Sequence, residues 1–138
     1  MYEIGISAEF EAAHRLVGDF GPAARVHGHR YRLEVIIRGE RVTGEGILYD
    51  IGKLKPAIDD LAASFHFRDL ADVEGLAGVN TTAENVAGYC WDTLAGTLHN
   101  QGLSTLIVRI WESATIYGAR EGELTHFRPS PHTPIRRR

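Results

Sequence analysis

Two histidines one residue apart, in the stretch RVHGHRY at 25–31, are the residues of this chain whose type and spacing point most directly to chemistry. On a strand, positions i and i+2 share a face, so His27 and His29 present neighbouring imidazoles while Gly28 leaves the backbone room. A third imidazole, His14, ends the preceding alternating run and falls beside the pair if residues 15–26 close an antiparallel connection. Three neutral imidazoles on rigid strands leave one position of a tetrahedral ion open, the arrangement of a catalytic zinc. With Cys90 as the sole cysteine, a closed, thiolate-rich structural zinc site is excluded. Spacing alone leaves a second reading open, in which His27 and His29 are a surface pair or are satisfied by ordinary hydrogen bonds. For His66, His99, His126 and His132, which fall in a loop, a helix end and the tail, surface placement is the expectation.

The elements that must position these side chains follow from periodicity. Residues 2–14 alternate, with Ile4, Ile6, Ala8 and Phe10 on one face, and read as a half-buried strand. The glycines and proline of VGDFGPAAR break it, and HGHRYRLEVIIRGE resumes a second long strand with Tyr31, Leu33, Val35 and Ile37 on one side. A short strand is expected to end at Tyr49, and Asp50 then caps a helix with Leu54, Ile58, Leu61 and Ala62 on its apolar face and Pro56 near its start. HFRDLADVEGLAGVN has neither period and reads as a long connection. Thr81-Thr82-Ala83-Glu84 has the capping-box pattern and opens a helix to about His99, where Val86, Cys90 and Leu94 recur every four residues and mark Cys90 as core. STLIVRIWESATIYG closes the pattern as strands, with Leu106, Val108 and Ile110 on one face. Two strands, two helices and two strands predict an α+β domain with helices covering one face of a sheet.

At 138 residues the chain is one domain, drawn here as 1–125, followed by a solvated tail at 126–138 that carries Pro131, Pro134 and the Arg136-Arg137-Arg138 end. Hydrophobic residues at 43% against 24% charged place it among folded globular chains. The net charge of -3, with no long basic run before the last three residues, gives no footprint for nucleic acid. No stretch of 18 apolar residues and no signal-like start are present, so neither membrane insertion nor export is expected. A single cysteine fits a reducing compartment, the cytoplasm by default.

FEAAHRL at 10–16, RVHGHRY at 25–31, ILYDIGKLK at 47–55, NTTAENVA at 80–87 and IWES at 110–113 occur in the order and approximate spacing of one family. In these motifs the chain resembles the 6-pyruvoyl-tetrahydropterin and 6-carboxytetrahydropterin synthases, from residue 1 to about 118. The resemblance implies that His14, His27 and His29 bind zinc and that Glu112 anchors a pterin ring, with Thr82 in a motif that also touches ligand. A carboxylate suits that anchoring, because its two oxygens match the paired N–H donors of a 2-amino-4-oxopyrimidine edge. It further implies the tunnelling fold, a four-stranded antiparallel sheet with two helices on one face, whose subunits join edge to edge into a barrel and stack as a dimer of trimers. Such joining removes open sheet edges.

Two departures from the pattern bear on activity. The family's catalytic cysteine falls at Ala23, which cannot exchange a proton, and the family's Asp-His pair falls in SFHFRDLADVEGL, where no ungapped alignment restores it. His66 is the remaining acid/base candidate, with Asp69 or Asp72 as its orienting carboxylate. Arg15, Arg25 and Arg30 are candidates for a triphosphate, surface solvation being the competing reading. The expected function is therefore a zinc-dependent carbon-oxygen lyase acting on dihydroneopterin triphosphate or a related reduced pterin, with altered acid/base residues. The competing readings are aldolase-type cleavage of a dihydroneopterin side chain, a pterin-binding accessory protein without turnover, and a metal-free structural protein.

Overall fold

A computed structural model describes residues 1–128; the expectations for His132 and for the rest of the Pro- and Arg-rich tail lie outside them. The two alternating runs form the longest strands, β1 (Tyr2–His14) and β2 (His27–Gly39), paired antiparallel along their whole length from Tyr2 opposite Gly39 to His14 opposite His27. Helix α1 (Ile51–Phe65) follows, then a two-residue strand β3 (Arg68–Asp69), helix α2 (Ala83–Leu98) and the hairpin β4 (Thr105–Trp111) and β5 (Tyr117–Glu123). The sheet order is β3-β1-β2-β4-β5. The expected four long antiparallel strands are present, and the structure adds β3 as a fifth, running parallel to β1 at Ala12 and Ala13.

No strand forms before Tyr49. Residues 43–47 close a turn instead: the Thr43 N–H donates to the Ile47 carbonyl, and the Ile47 N–H donates to Thr43 Oγ1. The connection between the helices also carries more order than its lack of period suggested, since it contains β3 and two short 3-10 turns at Leu70–Asp72 and Glu74–Leu76.

Both helices pack on one face of the sheet. Phe10, Tyr31, Leu33, Val35 and Ile37 meet Ile58, Leu61 and Phe65 of α1 and Val86, Cys90 and Leu94 of α2 in one core. The Asp50 carboxylate accepts the Gly52 N–H at 2.8 Å and starts α1 as its type predicts. The second cap is shifted by one residue from its expected place. Thr82 is the N-cap and accepts the Asn85 N–H, so Glu84 does not complete a reciprocal box. Helix α2 sits close on β5 because glycines leave space: a Cβ at Gly118 would lie 2.8 Å from the Glu84 main-chain nitrogen, and one at Gly122 would enter the Trp91 indole. The Trp91 Nε1–H donates to the Leu106 carbonyl and ties helix to sheet.

The opposite face of the sheet carries a polar ladder. Trp111 and Tyr117 stack at 4.6 Å between the Arg32 and Arg109 guanidiniums, and the Glu34 carboxylate accepts from both Arg109 and the Trp111 indole. Beyond β5 the chain keeps contact with the core, with Leu124 buried and the Phe127 ring 5.4 Å from Trp91. No helix among the described residues is long and apolar enough to cross a membrane.

Candidate metal centre

The register of β1 on β2 builds the site. His14 lies directly opposite His27, and Ala12 opposite His29, so His29 is the diagonal neighbour of His14 on the face turned toward the helices. The ring centroids are 4.5 Å (His14 to His27), 4.8 Å (His27 to His29) and 5.1 Å (His14 to His29) apart. One nitrogen from each ring lies within 4.8 Å of the others, a grouping that could hold one metal ion.

Hydrogen bonds decide which nitrogen that is. His14 Nδ1 is 2.7 Å from the Thr81 carbonyl oxygen, and His27 Nδ1 is 2.7 Å from that of Arg25. The main chain of Glu112 acts on His29 as well, favouring its protonated ring, though less than the Glu112 charge does. A carbonyl only accepts, so Nδ1 of His14 and of His27 carries the proton and Nε2 of each keeps its lone pair. Burial holds the His29 imidazole below its ordinary pKa against the pull of the Glu112 charge, with His14 and His27 adding to the lowering, which favours the neutral form that a metal ligand needs. Nε2 of His14 and of His29 are buried without a hydrogen-bond partner. An orphaned buried polar atom costs about 1–3 kcal/mol, and a cation accepting both lone pairs removes that cost. The donor set of three imidazoles and no thiolate suits zinc with an open fourth position.

Around this centre the structure distributes the other sequence-derived candidates unevenly. Glu112 follows β4, its carboxylate near enough to act electrostatically on both His29 and Tyr31. The Thr82 side chain is engaged as a helix cap, while its neighbour Thr81 is buried and offers its carbonyl to His14. His66 is exposed beyond α1; the Glu11 N–H donates to its Nδ1 at 3.0 Å, and its ring lies on Phe67. The hydrogen bond that holds the His66 ring comes from Glu11 and not from Asp69, whose Oδ1 accepts the Ala71 N–H. Arg30 pairs with Glu11 at 3.2 Å, and Arg15 and Arg25 are exposed. Ala23 lies in a 3-10 turn, and Cys90 is buried in α2, as its spacing predicts.

Sequence reasoning missed Tyr31, which continues the His27-His29 period by one step. Its ring stands 5.2 Å from His29 and 5.8 Å from His14, and its hydroxyl is buried with no partner. Burial, with the Glu112 and Asp69 charges, raises its pKa and keeps the phenol a donor. The unbroken alternation of β2 was the available signal.

Comparison with known proteins places this geometry. Residues 3–123 match the family model described as 6-pyruvoyl tetrahydropterin synthase. The chain belongs to the 6-pyruvoyl tetrahydropterin synthase family. It is 32% identical over 101 residues to a 6-pyruvoyl tetrahydrobiopterin synthase of Dictyostelium discoideum, covering 64% of this chain and 75% of the relative. A 6-carboxy-5,6,7,8-tetrahydropterin synthase of Haemophilus influenzae is 27% identical over 139 residues, covering 85% and 96%. Among solved structures, the Caenorhabditis elegans 6-pyruvoyl tetrahydropterin synthase superposes with a TM-score of 0.75 at 30% identity, over 88% of this chain and 95% of that one. The superposition extends the family likeness to the fold, whose sheet carries both helices on one face.

Proposed function

We propose that the chain is a zinc-dependent lyase of reduced pterins. The observation that carries this reading is the convergence of three imidazoles, two with a lone-pair Nε2 buried and unpartnered, beside a carboxylate at Glu112. His14, His27 and His29 would hold the metal, which when bound polarises a neighbouring substrate oxygen and lowers the pKa of water. Glu112 accepts the two N–H groups of the pterin's pyrimidine edge and fixes the ring. Thr82, though engaged as an acceptor by the helix cap, keeps a hydroxyl proton to donate to ligand. His66, with Nδ1 accepting from Glu11, carries its proton on Nε2 and offers it as a hydrogen bond to the substrate; it serves as an acid/base group only when the Glu11 N–H bond is released and Nδ1 takes a proton. Asp69 acts on the charge balance near Tyr31 rather than through His66. The proposed reaction is cleavage of a carbon-oxygen bond in dihydroneopterin triphosphate or a close analogue. The setting is the cytoplasm, and the assembly a hexamer of two stacked trimers joined through strand edges.

Ala23 supports a second reading. No thiol stands near the imidazoles, since the sole cysteine is buried in α2, so the proton transfers of the usual synthase reaction need another group. Side-chain cleavage of dihydroneopterin, or pterin binding without turnover, fits that change. Incubating zinc-loaded protein separately with dihydroneopterin triphosphate and dihydroneopterin, with products identified by mass, tests the readings. Triphosphate release that is abolished by His27→Ala supports the first; loss of a two-carbon fragment supports aldol cleavage. Binding without product supports the accessory role, and absence of both zinc and pterin binding overturns all three.

A further inference from the structure

Among the described residues, three buried side-chain polar atoms lack a hydrogen-bond partner, and all belong to one cluster: His14 Nε2, His29 Nε2 and the Tyr31 hydroxyl. The two nitrogens are answered by a cation. A phenol O–H is not, because it needs an acceptor. The nearby carboxylates do not serve: Asp69 and Glu112 act on Tyr31 only through their charge, and Asp69 Oδ1 is taken by the Ala71 N–H. Nor is the ring free to turn toward solvent. Tyr31 is 1% exposed and stacks on Phe10 at 4.9 Å and 12°, with Phe10 in turn against Phe65.

We propose that the Tyr31 hydroxyl donates a hydrogen bond to a side-chain oxygen of the bound ligand, making it a substrate-binding residue one step inward from the imidazoles. This assignment rests on the pterin reading above. It divides ligand recognition in two: Glu112 reads the pyrimidine edge, and Tyr31 reads oxygens on the substituent. Selectivity for pterins with an oxygenated side chain follows, because a ligand lacking that acceptor leaves the buried donor unpaired.

Tyr31→Phe tests it with two ligands of the same ring, 7,8-dihydroneopterin and 6-methyl-7,8-dihydropterin, bound to zinc-loaded protein and followed by calorimetry. The expected result is a roughly tenfold weaker Kd for dihydroneopterin in the variant, with the methyl compound unchanged. Thermal melting of the metal-free protein is the second readout. Because an orphaned donor is deleted, the variant should melt at the same temperature or higher. Equal dihydroneopterin affinity in both proteins, or equal losses for both ligands, overturns the assignment and leaves the pterin reading standing. A lower melting temperature for the metal-free variant also overturns it, since the hydroxyl would then have a structural partner. If the wild-type protein binds neither pterin, the pterin reading falls and this assignment falls with it.

Discussion

At the scale of single residues, the orientation of three imidazoles decides whether there is a metal site. The Nδ1 atoms of His14 and His27 are spent on main-chain carbonyls, which leaves their Nε2 atoms for an ion, and truncating one of the three rings leaves two nitrogens that cannot close a tetrahedral site. His27→Ala is expected to lower zinc from stoichiometric to near zero by elemental analysis after dialysis, while the fold persists, because His27 is only half-buried. Glu112→Gln is expected to keep its zinc yet bind reduced pterins about 10- to 100-fold more weakly, as loss of a charge-assisted bidentate contact predicts; titration calorimetry separates the two effects. The convergence of the three imidazoles was legible because two long alternating strands joined by a Gly- and Pro-containing loop leave little freedom in their register. Tyr31 was not, since a tyrosine on an apolar face is ordinary core until its hydroxyl is seen to lack a partner. The relation of His66 to Asp69 was hidden for a backbone reason. Phe67 between them adopts a left-handed φ of 57°, a turn that no residue type announces in a phenylalanine, and it directs the two side chains to different partners.

At the scale of elements, the strands owe their positions to alternation and the helices to caps and to glycines on the sheet. Gly118→Ala places a methyl 2.8 Å from the Glu84 main-chain nitrogen, which cannot rotate away, so α2 must shift. Overpacking of this kind costs about 1–3 kcal/mol, read as a lower denaturation midpoint with an unchanged slope. The polar ladder on the other face gives a pH signature. Burial pushes the Glu34 carboxyl up, but hydrogen bonds from Trp111 and Arg109 outweigh it, and the folded-state pKa lies below the ordinary value. Glu34 therefore stabilises the fold above the ordinary carboxylate pKa, and that contribution is lost as pH falls through the lowered folded value. Glu34→Gln is expected to melt lower than wild type near neutral pH, with the gap narrowing on acidification below about pH 4.5; melting curves across pH 3–7 check it. Both long strands and both helices were legible, because each carries a full period of buried residues. The strand expected before Tyr49 was not, since Ile47-Leu48-Tyr49 is apolar enough for a strand but Thr43 captures its backbone in a turn.

At the scale of the whole molecule, the sheet ends in two edges. Beyond Ala12 and Ala13, where β3 pairs, the outer side of β1 has no strand partner among the described residues, and neither has the outer side of β5. Edges of this length invite pairing unless they are blocked, and no proline interrupts either strand. Large apolar side chains stand exposed beside them, with Tyr2 at one end of β1 and Ile116 and Tyr117 where β5 begins. A second copy offering β5 to β1 satisfies both edges at once, and because the two edges differ, the contact is head-to-tail and closes only as a ring. If the assembly is the hexamer of two stacked trimers proposed above, sedimentation velocity at assay concentrations is expected to give a mass in multiples of three chains of 15.3 kDa. The melting temperature should rise with protein concentration, because association stabilises the folded chain by mass action. A single species of one chain's mass, melting at the same temperature over a hundredfold concentration range, would rule out edge-to-edge assembly and require the metal centre to work within one chain.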